Sequence, residues 1–297
     1  MKKNEFEISV IVPICKGNKY IKNIISMLVT NAKKISSKIE LILINDYPTE
    51  KIKIEDGTNL DNLTIRNIEN PNNLGIQRSR IQGIKHSKGK YVVMLDQDDV
   101  IKSDALYRQL RMLKNSRANA IISNGYSEEN GSEKVLFNSK RQMKMVNDLS
   151  MYMYLGNLIA SPGMCMIKKS SIPKLWMMRE NTLTINGADD WLLLVLFLID
   201  KNYFEINYDD KLYIHRTEGI ENTSTDNEKM LASSMEAMEI VMRNYSDDPR
   251  IMYLLNKYNR RLQMRFNYEL KKDNKILEYL KNPDIAARIL RYKWVLL

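Results

Sequence analysis

The sequence predicts an α/β fold of the Rossmann-like type, with a mostly parallel central sheet flanked by helices and a helical C-terminal extension. Short apolar runs rich in β-branched residues alternate with segments whose apolar residues recur at helical spacing, as in βαβ units. After residue 225 the character changes, and apolar residues repeat only at helical spacing. We therefore predict an α/β domain over residues 1–225 and a helical extension over 226–297.

The individual elements follow from these patterns. Strands are predicted over 8–13, 39–44, 63–68, 91–95, 118–123, 164–167 and 211–215. Helices are predicted over 21–28, 77–86, 103–113, 191–199, 226–245 and 251–270, whereas 137–161 permits no assignment. Ligands of such sheets bind beyond the carboxyl ends of the strands. Asp46 follows the second predicted strand and Asp96, Asp98 and Asp99 follow the fourth, so we expect a site at this edge.

Composition limits the class of protein. Lys and Arg number 46 against 36 Asp and Glu, a net charge of +10, which suits polyanions or merely reflects a lysine-rich proteome. The longest apolar stretch, 191–199, is far shorter than the roughly 20 residues of a membrane span, and we expect no signal peptide. Cys15 and Cys165 lie in apolar runs, and we expect both to be buried. These features predict a cytoplasmic protein, either free or peripheral on the inner face of the membrane.

The sequence Asp96-Gln97-Asp98-Asp99 is the strongest chemical signal. Carboxylates two residues apart on a strand-to-loop turn are able to converge on one hard cation. Mg²⁺ or Mn²⁺ held in this way bridges the phosphates of a nucleotide. The alternative is a solvated acidic turn, since Asp is common in turns.

Several short motifs occur in a fixed order along the chain. They are 9–13 (SVIVP), 45–46 (ND), 73–75 (NLG) with Arg80 and Gly83, 88–91 (KGKY), 95–99 (LDQDD), 187–191 (GADDW), 213–215 (YIH) and 222–224 (NTS). In this order and spacing the sequence resembles the family 2 glycosyltransferases, which have the GT-A fold. The resemblance covers roughly residues 6–225 and says little about the extension.

The resemblance implies a nucleotide site at the strand ends. Pro13, at the end of the first strand, and Asp46 would hold the nucleotide base, and a carboxylate accepting from the uracil N–H explains a preference for UDP. Arg80 would lie near the nucleotide, where its guanidinium suits a phosphate or a buried carboxylate. Asp96 would contact the ribose or the metal.

The resemblance also implies a metal and a catalytic base. Asp98, together with Asp96, would ligate Mn²⁺ or Mg²⁺, and His215 would complete the metal shell or touch the diphosphate. Asp190 would act as the general base on the acceptor hydroxyl, and Asp189 is the second candidate for this role. A single base opposite the leaving group implies one displacement with inversion.

The function predicted from the sequence is metal-dependent transfer of a single sugar, a hexose or N-acetylhexosamine, from a UDP-sugar to a glycan, lipid-linked or protein-linked acceptor. A sugar-nucleotide pyrophosphorylase is one alternative, but it normally needs a Gly-rich loop where 13–18 contains one Gly. A non-catalytic polyanion- or membrane-binding protein is another. This alternative does not explain why acids lie at the strand ends. We expect no nucleic-acid partner.

The C-terminal extension is strongly basic. Residues 250–297 contain 12 basic residues and 4 acids, and end in the apolar sequence 294–297. Three arrangements are consistent with this composition: helices packed on the catalytic domain with a solvated basic face, peripheral docking on an anionic membrane, or a homo-oligomer interface.

Overall fold

The computed structural model describes residues 6–54, 62–216 and 226–294, and the chain divides into two compact units. The sheet unit comprises residues 1–136, 160–172 and 202–218, and the helical unit comprises 137–159, 173–201 and 219–297. The helical unit therefore joins the predicted extension with two earlier segments. The predicted boundary at residue 225, the motif 222–224 and the apolar end 295–297 lie outside the described residues.

The described part of the sheet unit contains one sheet of nine strands in the order β3-β2-β1-β4-β8-β6-β9-β5, with β7 paired to β6. The strands are β1 (Phe6–Ile14), β2 (Ile39–Asn45), β3 (Leu63–Glu69), β4 (Gly89–Met94), β5 (Val100–Ile101), β6 (Ala120–Glu129), β7 (Ser132–Val135), β8 (Cys165–Lys168) and β9 (Phe204–Arg216). The half β3-β2-β1-β4 is parallel. The other half is mixed, because β8 runs antiparallel to both β4 and β6. The α/β prediction is confirmed, and its parallel part is this first half.

The parallel half forms because its strands are apolar on both faces. Every residue of β2 is buried, and β1 is buried along most of its length, as expected for a parallel sheet covered on two sides. In register, Val10 lies opposite Leu41 on one side and Val93 on the other. The carboxyl ends of β1, β2 and β4 therefore meet at one edge of the sheet.

Within the described residues, three α-helices belong to the sheet unit: α1 (Asn18–Ala32), α2 (Ile76–His86) and α3 (Ala105–Lys114). The predicted apolar stripe of α1, which includes Ile21 and Leu28, is buried. Helix α2 approaches β1 so closely that a Cβ on Gly83 would lie 2.2 Å from Cγ2 of Ile11. Glycine is required there for close packing.

The helical unit is built from seven helices in its described residues. They are α4 (Lys140–Lys144), α5 (Leu149–Leu155), α6 (Asp189–Ile199), α7 (Asn227–Asn244), α8 (Pro249–Arg265), α9 (Lys275–Lys281) and α10 (Pro283–Trp294). A π-helical segment, Phe266–Leu270, extends α8. In the core the ring of Trp191 stacks on Tyr258, with centroids 4.2 Å apart, and its Nε1 donates to the Tyr152 carbonyl.

Two expectations drawn from composition concern membrane spans and cysteine burial. No helix in the described ranges is both long enough and apolar enough to cross a membrane. Cys165 is buried as expected, but the prediction for Cys15 is wrong, because Cys15 is exposed. The physical reason is that strand β1 ends at Ile14 and Cys15 already belongs to the following loop.

Gly83→Ala tests the close packing of α2 on β1. Alanine favours a helix over glycine by about 1 kcal/mol, yet we expect a net loss of about 1–3 kcal/mol in unfolding free energy from overpacking. Urea denaturation measures it. Ile11→Ala removes the methyl group that the new Cβ would meet, so Gly83→Ala should cost less in that background. Equal costs in the two backgrounds would contradict the proposed clash.

Candidate functional site

The predicted edge of the sheet gathers most of the predicted site residues. Pro13 is the penultimate residue of β1 and pairs in register with Ile44, and the Asp46 N–H donates to the Ile14 carbonyl. The Leu95 N–H donates to the Ile11 carbonyl and so directs residues 96–99 beyond the same edge. We call residues 96–99 the acidic turn.

Asp96 is held by two side chains. The Arg80 guanidinium donates to Asp96 Oδ1 at 2.6 Å, and the Ser161 hydroxyl donates to Oδ2 at 2.9 Å. Arg80 is only 1% exposed, whereas the Asp96 side chain is 22% exposed. Of the two partners predicted for Arg80, a phosphate or a buried carboxylate, the structure shows a carboxylate. The buried positive charge of Arg80 therefore compensates the negative charge of Asp96.

Asp99 is buried and fixes the end of β9. The Tyr213 hydroxyl donates to Asp99 Oδ2, His215 Nδ1 lies 3.0 Å from Oδ1, and the Arg216 N–H donates to Oδ1 at 3.2 Å. Pairing of β5 with β9 brings these groups together, because Ile101 lies opposite Tyr213. Burial raises the pKa of Asp99, and the hydrogen bond to Asp99 raises the pKa of His215.

Asp98 is the part-exposed acid between these two anchored residues. Burial, followed by repulsion from Asp99 and Asp96, raises the pKa of the Asp98 carboxyl from 3.8 to about 6. The ionised form is therefore disfavoured by its surroundings, and a cation beside it would relieve that cost. Asp98 also borders a cavity of 380 Å³ that α1 and Arg216 help to line.

Gln97 ties the acidic turn to the loop after β1. Its amide group forms two hydrogen bonds with the backbone of Cys15, accepting from the N–H at 3.0 Å and donating to the carbonyl at 3.2 Å. The Gln97 side chain thereby continues the hydrogen bonding between β1 and β4 for one more residue after both strands have ended. This contact keeps the two loops at a fixed separation.

Asp46 fixes the loop before α2. Its two carboxylate oxygens accept from the N–H groups of Leu74 and Gly75 at 2.8 and 3.0 Å, and from the Asn70 amide at 2.8 Å. Gly75 has a φ of +86°, a conformation that favours glycine. Asp46 is 4% exposed. The predicted contact with a nucleotide base stays a prediction, and the observed role is to hold residues 70–75.

Asp189 and Asp190 belong to the helical unit, in the first turn of α6. Negative charge is stabilised there by the helix dipole. Asp189 is buried and its carbonyl accepts from Trp176 Nε1 at 3.1 Å, whereas Asp190 is part-exposed. The preceding Ala188 N–H donates to the Ser233 hydroxyl, which anchors the start of the helix. Of the two predicted bases, Asp190 is the more accessible.

The residues at the acidic turn fit a metal shared with a nucleotide. Within the described residues, no three His, Cys, Asp or Glu side chains form a group that could hold a metal ion alone. Mg²⁺ at nucleotide sites is commonly bound by one or two carboxylates together with substrate phosphates, and part-exposed Asp98 suits that arrangement. Ligation by Asp96, Asp98 and His215 stays a prediction.

A second cleft, of 720 Å³, lies along α3. Arg108, one of its cations, is already paired with Asp104 at 2.6 Å and with Asp210 at 2.9 Å. None of the predicted site residues lines it. We therefore place the candidate site at the acidic turn, where charge is not balanced in this way.

Comparison with known families gives a match over more than half of the sequence. The family described as "Glycosyl transferase family 2" matches residues 9–176, which include Pro13, Asp46, Arg80, Asp96 and Asp98. The chain belongs to glycosyl transferase family 2. The resemblance inferred from the motifs is thereby confirmed, although the match ends before Asp189.

Curated relatives are similar over part of their length. Glycosyltransferase GlyG of Streptococcus pneumoniae serotype 4 is 27% identical over 128 residues, 42% of each chain. A glycosyltransferase of Haemophilus influenzae is 34% identical over 111 residues, 36% of this chain and 43% of its own. The matches thus span about two fifths of the length of these two relatives.

A solved structure shares the fold over nearly the whole chain. S. aureus TarS 1-349, in complex with UDP-GlcNAc, superimposes with a TM-score of 0.62 at 14% identity, covering 98% of this chain and 82% of that one. At this identity the comparison concerns the fold alone. It confirms the predicted GT-A fold.

The sheet unit of this family 2 chain brings together Pro13, Asp46, Asp96, Asp98 and His215 near one edge, with Arg80 buried behind Asp96. Sequence reasoning missed the anchoring residues Gln97, Ser161 and Tyr213. The only signal for Tyr213 was its spacing of two from His215, which puts both side chains on one face of a strand. Ser161 lay in the stretch that permitted no assignment.

Asp98→Asn is expected to stabilise the metal-free protein at neutral pH. Because the pKa of Asp98 is raised from 3.8 to about 6, the stability associated with its protonated form is complete below 3.8 and is lost as the pH rises through about 6. Asparagine remains neutral throughout. After allowance for solvent exposure we expect a gain of about 1 kcal/mol.

Urea unfolding of wild type and Asp98→Asn at about pH 8 and about pH 4 measures this difference. The gain should be present at the higher pH and absent at the lower one. Exposed Asp209 supplies a control, since Asp209→Asn should leave stability unchanged at both. A loss of stability in Asp98→Asn at the higher pH would contradict the electrostatic account.

Proposed function

We propose that the chain is an inverting, metal-dependent glycosyltransferase that transfers one sugar from a UDP-sugar to a hydroxyl of a glycan, lipid-linked or protein-linked acceptor. The observation that carries the proposal is the acidic turn in a family 2 sequence. Two of its acids are anchored by the protein and the third, Asp98, is part-exposed with a raised pKa. The TarS complex with UDP-GlcNAc supports UDP as the nucleotide.

The sheet unit would bind the donor. Pro13 and the loop that Asp46 fixes would line the base, and Asp96, oriented by Arg80 and Ser161, would accept from a ribose hydroxyl. Asp98 and His215 would hold Mn²⁺ or Mg²⁺. The bound cation would supply electrostatic stabilisation for the leaving diphosphate. Asp99 would orient His215 through Nδ1, leaving its other nitrogen available for the ligand.

We assign the general base to Asp190. Its carboxylate would take the proton from the acceptor hydroxyl while that oxygen attacks the anomeric carbon, and the bond to the UDP oxygen breaks in the same displacement. One displacement from the opposite face inverts the anomeric configuration. Asp189 is buried, and we propose a structural role for it at the start of α6.

The main alternative enzyme class is a sugar-nucleotide pyrophosphorylase. The two reactions differ in products, because a pyrophosphorylase consumes a sugar phosphate and a nucleoside triphosphate and releases pyrophosphate. The family match and the single glycine within residues 13–18 favour the transferase. Release of UDP without pyrophosphate from a UDP-sugar distinguishes them.

Calorimetric titration with UDP tests the donor site. We expect Mn²⁺-dependent binding to the wild type and a loss of at least about tenfold in affinity for Asp98→Ala, because a carboxylate ligand shared with the diphosphate is removed. Asp209→Ala, an exposed acid of the same unit, is the matched control and should bind as the wild type does. UDP binding that ignores both metal and Asp98 would refute the proposed site.

Asp190→Asn tests the base. Removal of a general base slows turnover by about 100- to 10,000-fold, so UDP release from a panel of UDP-sugars should fall by that factor while UDP affinity is unchanged. Asp247→Asn, at an exposed acid of the helical unit, should keep the wild-type rate. Normal turnover in Asp190→Asn together with a collapse in Asp189→Asn would transfer the role to Asp189.

A further inference from the structure

Helix α9 presents its apolar side chains outward and its acid inward. Ile276 and Leu280 are each 69% exposed and Leu277 is 54% exposed, whereas Glu278 is 2% exposed. Leu280 lies four residues after Ile276 and three after Leu277, so it neighbours both on the helix surface, and the three apolar residues form one exposed face. Single exposed leucines are ordinary, but a grouped set on an otherwise inverted helix marks an interaction surface.

The inner side of α9 is tied down and is not free to rotate outward. Glu278 accepts from the Asn267 amide at 2.9 Å and from the Lys281 ammonium at 2.8 Å. The neighbouring Tyr279 packs against the cluster of Tyr154 and Met264. Rotation of α9 to bury Ile276 and Leu280 would break the hydrogen bond to Asn267 and the packing of Tyr279, so the exposed face is a stable property of this helix.

Lysines flank the apolar face along the sequence. Lys271, Lys272, Lys275 and Lys281 are all exposed, and only Asp273 and inward-facing Glu278 offset them within residues 271–281. The ammonium groups of Lys271 and Lys275 lie 5.0 and 5.1 Å from the rings of Phe266 and Tyr268. Helix α10 adds Leu290, which is 54% exposed, and exposed Arg291.

We propose that this face, consisting of Ile276, Leu277 and Leu280 with the four flanking lysines, docks on an anionic lipid membrane. The apolar side chains enter the boundary between headgroups and acyl chains, and the long lysine stems let their charges reach lipid phosphates. A second copy of the chain is a poorer partner, because it would bring the same lysines against one another. The surface goes beyond the transferase reaction and does not depend on it.

Co-sedimentation of the full chain with vesicles tests the proposal. We expect binding to vesicles of phosphatidylcholine and phosphatidylglycerol in equal amounts, much weaker binding to phosphatidylcholine alone, and weakening by added salt. Leu280→Ser and Ile276→Ser together should lower the partition coefficient by about tenfold or more. Met235→Ser, at a site 45% exposed on α7, is the matched apolar control and should bind normally.

A second pair of variants tests how much lysine charge contributes to vesicle binding. Lys271, Lys272 and Lys275 changed together to Gln should lower binding to the anionic vesicles by about tenfold or more. Lys33, Lys34 and Lys38, three exposed lysines of the sheet unit, changed together to Gln remove the same charge and should have a much smaller effect. All these side chains are exposed, so circular dichroism should show an unchanged fold.

Three results would overturn the proposal. The first is an absence of binding to either kind of vesicle, and the second is equal binding to both. The third is a lipid-free dimer, detected by analytical ultracentrifugation, that Ile276→Ser with Leu280→Ser converts to a monomer. That result would assign the face to self-association. None of these measurements requires a donor, an acceptor or turnover.

Discussion

Burial of three neighbouring carboxylates, and the repulsion among them, is the constraint around which the candidate site is organised. The protein offsets it differently for each acid: Asp96 receives the buried Arg80 cation and the Ser161 hydroxyl, and Asp99 receives Tyr213, His215 and a backbone N–H. Asp98 has a raised pKa, caused first by burial and then by repulsion from Asp99 and Asp96. Ionising this part-exposed acid carries a free-energy cost. A cation bound beside the carboxylate would reduce that cost, and this favours cation binding at Asp98.

The parallel half of the sheet was predictable because its signal is local. Runs such as 39–44 are apolar throughout, and in a parallel sheet that alone specifies burial on both faces. The segment 137–161 carried no comparable signal. It forms the short helices α4 and α5, whose burial depends on partners far along the chain, as in the donation of Trp191 to the Tyr152 carbonyl. Strands as short as β5, with two residues, show no periodicity at all.

The candidate site was predictable in its residue types but not in their contacts. The strand pattern correctly placed Asp46 and Asp96 beyond strand ends, yet the oxygens of Asp46 accept hydrogen bonds from Asn70, Leu74 and Gly75. The partners of the acidic turn are 16, 65 and 116 residues away, for Arg80, Ser161 and His215 respectively. Such pairings follow from strand order, and strand order beyond β4 could not be derived from local pattern. Motif residues therefore include some whose observed role is to support neighbouring backbone or side chains.

The arrangement of the basic extension was also only partly predictable from the sequence. Composition indicated charge and helical spacing but left three arrangements open, because a 3.6-residue period shows that an apolar stripe exists without showing which way it faces. An amphipathic helix normally buries its apolar residues and exposes its charged ones. For α9 that rule would bury Ile276 and Leu280 and expose Glu278. The structure has the reverse, since Glu278 is held by Asn267 while Tyr279 packs on the inner side. The orientation of one short helix thus gives the basic extension a defined apolar surface with lysines close to it in sequence.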